Sequence, residues 1–252
     1  MSAPAYTVVT MAERPDLIGP ADGLVPTVWA EFMLHDAVAN RYWDDLYTVF
    51  PAYQFVLLDP TTGEIAAVAN SLPLAWDGDP ADLPDAGWDW ALAQGFEDHH
   101  AGRAPRTQCA LSISIMRPYQ GTGVSTQVVQ AMKAIGQAHG LRSLIAPVRP
   151  NLKSRYPLIP IEDYIRWQND AGLPFDAWLR VHRRLGAALI KVCPLSMVIT
   201  GTVSAWEEWT GMQFPASGQH IIPGALLPVT IERDTDRGVY VEPNVWMHHP
   251  LA

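Results

Sequence analysis

The sequence predicts a mixed α/β protein. Three observations support this class: alternating β-rich runs, a strand, glycine turn, helix and strand unit at residues 108–148, and 48% hydrophobic residues with only 17% charged. A chain of 252 residues with this composition can bury a full core, while its 22 Pro and 18 Gly exclude a long coiled coil. The length fits one domain that carries insertions.

The first hundred residues alternate between strand and helix patterns and end in a polar insertion. Period-two alternation predicts the strands, and apolar residues at helical spacing predict the helices. The predicted segments are a strand at 6–11, two helices within 25–47, a hairpin with strands at 53–58 and 65–72, and an insertion at 74–106 with a short helix up to Phe96.

The central unit has the most regular pattern in the chain. Its predicted parts are a strand at 108–116, a glycine turn at 117–125, a helix at about 125–139 that Gly140 ends, and a short buried strand at 143–148. A helix between two strands predicts that the strands pair in parallel.

The last hundred residues begin with a Pro-rich basic stretch and return to regular elements. The predicted parts are an insertion at about 149–174, a helix at 175–191, a strand at 196–203, and a strand pair at 221–233 and 239–245. We predict that residues 1–200 form the main domain, with insertions at about 74–106 and 149–174. Residues 201–252 are predicted to form a C-terminal β extension packed on the same domain.

Charge is distributed unevenly along the chain, whose formal net charge is −9. Residues 1–104 carry 16 Asp and Glu against 3 Arg, whereas residues 105–200 carry 4 acidic residues against 12 Lys and Arg. The overall acidity argues against nucleic-acid binding. The basic middle third either meets a phosphorylated small ligand or only offsets the acidic first third.

The chain is predicted to be cytoplasmic, without a membrane span or an export leader. No stretch reaches the roughly 20 apolar residues that a membrane helix needs, and residues 1–20 lack a basic flank followed by an apolar run. Cys109 and Cys193 are far apart in sequence and form no ligand motif. We therefore predict neither a disulfide framework nor a metal site.

The glycine turn Gln120-Gly-Thr-Gly-Val-Ser125 precedes the central helix. Backbone N–H groups at a helix start suit phosphate oxygens, because they lack partners and the helix dipole favours negative charge. No Lys follows the glycines and the dinucleotide spacing GxGxxG is absent, so a nucleotide hydrolase and a Rossmann dehydrogenase are disfavoured.

This turn resembles the signature of the GNAT acyltransferase superfamily, which is Gln or Arg, two residues, Gly, one residue, then Gly or Ala. Gln120 and Gly123 fit, and Ser125 departs from the pattern. The resemblance implies a twisted central sheet flanked by helices on both faces, with acetyl-CoA or another acyl-CoA as co-substrate. It places the pantetheine arm on the first three and the pyrophosphate on the other seven of these residues: Ile115, Met116, Arg117, Gln120, Gly121, Thr122, Gly123, Val124, Ser125 and Thr126.

The same resemblance points to a catalytic residue. Members of the family commonly carry a Tyr four residues before the Gly of a Leu-Gly-Phe-like segment, where the phenol protonates the leaving thiolate. Here the segment is Leu185-Gly186-Ala187 and the residue four before Gly186 is His182. A histidine can act as an acid near neutral pH. The alternative is a histidine on the helix face that meets only solvent or a carboxylate.

The predicted reaction is transfer of an acyl group from coenzyme A to an amine of a small molecule by direct attack. No single residue stands out as the general base, and the candidates are Glu97, Asp98, His99 and His100. The candidates for binding an anion are Arg149, Lys153 and Arg155. Three alternatives stay open: a carrier-protein thiol as donor or acceptor, decarboxylation of a malonyl thioester, and a non-catalytic acyl-CoA-binding module. Oligomeric state is also open, with a homodimer as one alternative.

Overall fold

The computed structural model describes residues 6–251, so part of the N-terminal segment used to predict the absence of a leader lies outside it. Within these residues nine strands form one mixed sheet, which confirms the predicted α/β class. The strands are β1 (Thr7–Thr10), β2 (Phe55–Leu58), β3 (Ile65–Leu74), β4 (Thr107–Ile115), β5 (Ser143–Val148), β6 (Ala188–Gly201), β7 (Gly218–His220), β8 (Val229–Glu232) and β9 (Arg237–Pro250).

Eight α-helices accompany the sheet in the described part of the chain, along with short 3-10 helices. They are α1 (Ile18–Asp22), α2 (Ala37–Tyr42), α3 (Leu46–Val49), α4 (Gly87–His100), α5 (Val124–Ala138), α6 (Ile161–Tyr164), α7 (Ala177–Arg184) and α8 (Val203–Thr210). None of the helices within residues 6–251 is long and apolar enough to cross a membrane.

The strand order is β1-β2-β3-β4-β5-β9-β8-β7, and β6 pairs with β9. β4 and β5 are parallel, as the central unit predicts, and the neighbours β3 and β9 run antiparallel to them. A bulge interrupts the β3–β4 pairing: Asn70 lies opposite Ser112 and Ser71 opposite Ala110, which leaves Leu111 as the extra residue.

The two faces of the sheet carry different helices. A Cβ added to Gly95 of α4 would meet Leu72 of β3, whereas one added to Gly136 of α5 would meet Gln108 of β4. Leu72 pairs with Cys109, the neighbour of Gln108, and adjacent strand residues point to opposite faces. We call the side of Leu72 the α4 face and the side of Gln108 the α5 face.

The helix predicted at 175–191 is wrong beyond Arg184. Gly186 has a φ of +89°, a backbone conformation that ends α7, and β6 begins two residues later at Ala188. The apolar residues after Gly186 therefore belong to a strand. In the 149–174 segment, the regular parts are a 3-10 turn at 153–155 and the short α6.

β9 lies in the middle of the sheet, although it comes from the segment predicted as a C-terminal extension. It pairs with β5 at residues 245–250 and with β6 along residues 238–248, where the register shifts between Glu242 and Asn244. The boundary near residue 200 stays a prediction, and both of its sides contribute strands to this one sheet. Cys109 and Cys193 are both buried and free.

Burying β9 leads to a stability prediction at Gly238. A Cβ at this position would overlap the buried indole of Trp206 on α8, so Gly238→Ala should lower the free energy of unfolding by about 1–3 kcal/mol, as overpacked cores do. Denaturant unfolding measures the change.

Gly23 provides the control for this substitution. It has a helical φ of −62°, and a Cβ there would meet only ordinary contacts of 3.4 Å or more, so Gly23→Ala should be neutral or slightly stabilising. Equal unfolding midpoints for the two variants would contradict a tightly packed contact between α8 and β9.

Candidate active site

A gap opens between β4 and β5. The two strands pair only from Thr107–Cys109 to Ser143–Ile145, and both continue beyond this contact. We call the space between residues 110–115 of β4 and 146–148 of β5 the β4–β5 gap. β4 stays paired with β3 and β5 with β9 on their other sides, so within the described residues the two strand edges that face the gap have no strand partner there.

The backbone of β4 is oriented so that alternate residues face this gap. The amide of Met116 donates to the carbonyl of Ala66 on β3, at 3.0 Å. Backbone groups alternate in direction along a strand, so those of Ile115 and Ile113 point away from β3 and toward the gap. The side chain of Gln120 donates to the Ile115 carbonyl at 2.9 Å, which fixes the turn against the end of β4.

The glycine turn lies at the open end of the gap and leads into α5. Gly121 and Gly123 have φ of +77° and +91°, a region that glycine adopts without strain. No side chain caps the start of α5, and residues 120–123 are exposed. This 15-residue helix therefore presents a bare N-terminus to solvent, the arrangement that binds phosphate oxygens.

The ten predicted coenzyme A residues lie along the end of β4, the glycine turn and the first turn of α5. Thr122 donates from its hydroxyl to the Tyr119 carbonyl at 2.6 Å, and buried Val124 anchors the helix start in the core. Arg117 is exposed beside the turn and Met116 is buried. Ser125 and Thr126 occupy the first turn of α5. Their assignment as coenzyme A ligands stays a prediction.

His182 lies on α7 with only 2% of its surface exposed. Its Nδ1 is 2.9 Å from Nε2 of His249 on β9, and one of these nitrogens carries the shared hydrogen. Burial, with a smaller effect of His249, lowers the pKa of His182 to about 3. Burial and nearby Lys133 lower the pKa of His249 to about 4. Both imidazoles are therefore neutral at pH 7.

The histidine pair lies on the α5 face near the closed end of the gap. His249 pairs with Leu144, one residue before the last contact between β4 and β5. The role of His182 as the acid stays a prediction, and it requires the pKa of His182 to rise when the thiolate forms.

Other candidates from the sequence lie away from the gap or are bound internally. Glu97, His99 and His100 are exposed at the end of α4. Asp98 is buried there and accepts from Arg103 at 2.7 Å. The Ala75 amide also donates to Asp98, at 2.6 Å, which puts this end of α4 beside the end of β3 and far from the glycine turn. None of them faces the gap.

Two polar side chains that the sequence analysis missed lie beside the bulge on the α4 face. Asn70 and Ser112 are opposite each other in the β3–β4 register, and they are 0% and 8% exposed. The Asn70 Oδ1 and Ser112 Oγ atoms are buried without a hydrogen-bond partner. Tyr47 accepts from Asn70 at 3.2 Å, and burial raises the pKa of this phenol to about 12. In the sequence, the signal for these two residues was the presence of an Asn and a Ser within otherwise apolar strands.

No group of three His, Cys, Asp or Glu side chains within residues 6–251 is arranged to hold a metal ion.

No family model matches the chain. One relative, the arginine N-acetyltransferase avaD of Aspergillus versicolor, is 30% identical over 277 residues, covering 98% of this chain and 95% of the relative. The chain belongs to the GNAT superfamily.

This GNAT protein shares its fold with two solved structures. The loading GNATL domain of CurA from Lyngbya majuscula has a TM-score of 0.65 at 17% identity, with 98% of both chains covered. The GphF GNAT-like decarboxylase, solved with isobutyryl-CoA, has a TM-score of 0.54 at 15% identity, with 98% of this chain and 100% of that one covered. At these identities the likeness extends to the fold alone.

The family resemblance stated from the glycine turn is thereby confirmed. The protein is a GNAT acyltransferase, an enzyme that transfers an acyl group to an amine, as the sequence predicts. The comparison with the relative does not favour the carrier-thiol, decarboxylation and non-catalytic alternatives.

The histidine pair leads to a prediction about acid stability. Because the pKa of His182 is lowered in the folded state, the unfolded chain binds more protons below about pH 6.5, and stability falls as pH decreases. His182→Gln should flatten this fall between pH 6.5 and 4 by about one proton, or roughly 1.4 kcal/mol per pH unit. Urea unfolding at several pH values measures the slope.

The matched control is His100→Gln, the same substitution at an exposed position on α4. An unaltered slope in His182→Gln would contradict a neutral buried imidazole.

The same variant tests the predicted acid role of His182. If His182 protonates the thiolate, His182→Gln should lower kcat by about 100-fold or more while the affinity for acetyl-CoA stays constant.

Proposed function

We propose that the protein transfers an acetyl group from acetyl-CoA to a nitrogen atom of arginine or a closely related small cationic amine. The activity named for the Aspergillus relative supports the acceptor. The observation that carries the donor assignment is the bare start of α5 beside the open end of the β4–β5 gap.

The gap and the glycine turn together fit an acyl-CoA in two parts. The amides of residues 120–126 and the dipole of α5 would hold the pyrophosphate. The edge of β4 offers the backbone groups of Ile113 and Ile115 to the amide groups of a pantetheine arm, while Met116 remains bonded to β3. The Ile115 carbonyl already accepts from Gln120, so a ligand must share or replace that hydrogen bond.

The reaction is a direct displacement. The amine nitrogen forms a bond to the thioester carbonyl carbon, the carbon–sulfur bond breaks, the nitrogen loses a proton and the sulfur gains one. An unpaired backbone N–H of β4 in the gap is suited to stabilise the developing oxyanion, because its direction is fixed before the substrate binds.

The acceptor would approach from the α4 face. Asn70 and Ser112 present unpaired oxygens beside the bulge at Leu111, where β4 leaves β5. An amine that donates hydrogens to these two oxygens would satisfy both and hold its nitrogen beside the gap. The glycine turn leads into α5, which covers the other face, so donor and acceptor would enter from different sides.

A cytoplasmic location, a homodimer and a carrier-protein partner stay predictions from the sequence. A thiol-release assay tests the proposed reaction directly: acetyl-CoA with arginine should release coenzyme A and yield acetylarginine by mass spectrometry. Carbon dioxide release from malonyl-CoA without arginine would instead indicate a decarboxylase, and binding without turnover would indicate a non-catalytic module.

Coenzyme A binding should be lost in Gly123→Glu. A carboxylate at this position would occupy the proposed pyrophosphate site and repel the ligand. Calorimetry with acetyl-CoA should show no binding for the variant at concentrations that saturate the wild-type protein.

Gly140 supplies a matched control because it follows the other end of α5. It also has a positive φ, +72°, and open space around it, so Gly140→Glu introduces the same side chain with similar backbone strain. Its acetyl-CoA affinity should stay within about twofold of wild type, since the backbone strain alone is about 1–2 kcal/mol and lies far from the turn. Unchanged affinity in Gly123→Glu would refute the site.

Coenzyme A affinity should also weaken as salt is added. The turn is exposed and Arg117 stands beside it, so attraction to the phosphates is screened beyond about 8 Å at physiological ionic strength. Titrations from low to high salt should show a falling affinity, with a shallower dependence in Arg117→Gln. A flat profile would show that the cations of the middle third take no part.

A further inference from the structure

Two aspartates on the α4 face are left with unpaired carboxylate oxygens. Asp36 precedes α2, and its Oδ1 accepts from the Ala39 amide at 2.8 Å. Asp89 lies in the first turn of α4, and its Oδ2 accepts from the Val198 amide of β6 at 3.3 Å. The other oxygens, Oδ2 of Asp36 and Oδ1 of Asp89, are buried and have no hydrogen-bond partner.

This arrangement is unfavourable in the protein alone. Asp36 has no exposed surface, and an unsatisfied buried carboxylate oxygen costs free energy. Burial first, and then the charge of Asp36, raise the pKa of Asp89 to about 8. Burial also raises the pKa of Asp36. Asp89 is therefore mostly protonated at pH 7 in the ligand-free protein, and a nearby cation would favour its ionised form beside Asp36.

The described part of the chain supplies no cation to this pair. The ion pairs within residues 6–251 include neither Asp36 nor Asp89. His35, the nearest basic residue in sequence, pairs with Glu31 at 3.1 Å and stacks on Trp209. A positively charged group from outside the chain would satisfy both free oxygens and remove the repulsion between the carboxylates.

The pair is connected to the gap through the residue next to Asp89. The indole of Trp88 donates to the carbonyl of Leu111, the bulge residue of β4, at 2.8 Å. Trp43, at the end of α2, stacks on Trp88 with ring centroids 6.1 Å apart. Asp89 therefore follows directly a tryptophan that reaches the point where β4 leaves β5, and α2, which Asp36 caps, packs on the same tryptophan through Trp43. Asp89 is partly exposed as a residue, so the buried oxygens lie close to the surface.

We propose that Asp36 and Asp89 together bind the cationic group of the acceptor, a guanidinium in the case of arginine, and thereby set the specificity for a cationic amine. This inference rests on the proposed N-acetyltransferase function. A guanidinium is planar and has five N–H donors in a fixed arrangement, so it can donate to two carboxylates at once. Neither a neutral amide nor a urea group compensates the two charges.

The test compares arginine with citrulline, which replaces the guanidinium by a neutral group of similar shape. The wild-type enzyme should prefer arginine by about 100-fold or more in kcat/KM, since a site built for charged hydrogen bonds rejects a ligand that lacks them. Asp89→Asn and Asp36→Asn should each lower kcat/KM for arginine by about 30-fold or more, within the range for breaking a buried charge pair. Values for citrulline and the KM for acetyl-CoA should stay within about threefold.

Asp82→Asn is the charge-matched control. Because Asp82 is exposed near the start of α4, this variant should keep the preference for arginine.

A thermal melting experiment distinguishes the loss of the cation site from misfolding of the variant. Because the raised pKa of Asp89 leaves its carboxyl mostly protonated in the ligand-free protein at pH 7, ligand-free Asp89→Asn should melt near the wild-type temperature, and arginine should no longer raise it. An equal loss for arginine and citrulline, or an unchanged preference, would overturn the proposal.

Direct binding separates this proposal from the proposed reaction. In calorimetry with coenzyme A present, arginine should bind the wild-type protein and fail to bind Asp89→Asn. Binding of arginine without acetyl transfer would refute the reaction and keep the cation site. Absence of arginine binding to the wild-type protein would overturn the cation site, whether or not other amines are acetylated.

Discussion

The site depends on the pairing of β5 with β9. Six residues of β5 pair with residues 245–250 of β9, whereas only three pair with β4. Because β9 holds β5 along its whole length, β4 can leave after Cys109 without exposing both edges of β5. The unpaired edge of β4 that results is the surface on which a ligand can form backbone hydrogen bonds. A chain in which β4 and β5 paired throughout would have the same core and no gap.

A buried polar network keeps the walls of the gap in place. The Trp88 amide donates to the Ser196 hydroxyl at 2.9 Å, and that hydroxyl donates to Asn244 at 2.6 Å. Asn244 donates to Glu242, which also pairs with Arg149 directly after β5, at 2.8 Å. Arg149 therefore stabilises the junction of β5 and β9 and is not free to bind an anion. Networks of this kind stabilise one arrangement when every member is satisfied.

The sequence predicted the central unit to within about one residue because its signals are local. Alternation marks β4, and Gly123 and Gly140 bracket α5. Two kinds of feature could not be predicted from the sequence, because they depend on contacts between distant residues. The apolar residues after Gly186 suit helix or strand, and pairing with β9 decides between them. The environment of His182 depends on His249, 67 positions away, which no helical spacing shows.

The uneven charge along the sequence acquires a meaning from the two faces of the sheet. The acidic first third forms α1 to α4, with Asp36 and Asp89 on the α4 face, whereas the basic middle third forms the glycine turn, α5 and α7. Surface potentials of opposite sign guide oppositely charged ligands to different places. Under the proposed function, an anionic acyl-CoA would be attracted to the side with the bare helix start, and a cationic acceptor to the side with Asp36 and Asp89. Separation by charge before the two substrates meet at the gap would keep each of them out of the other's site.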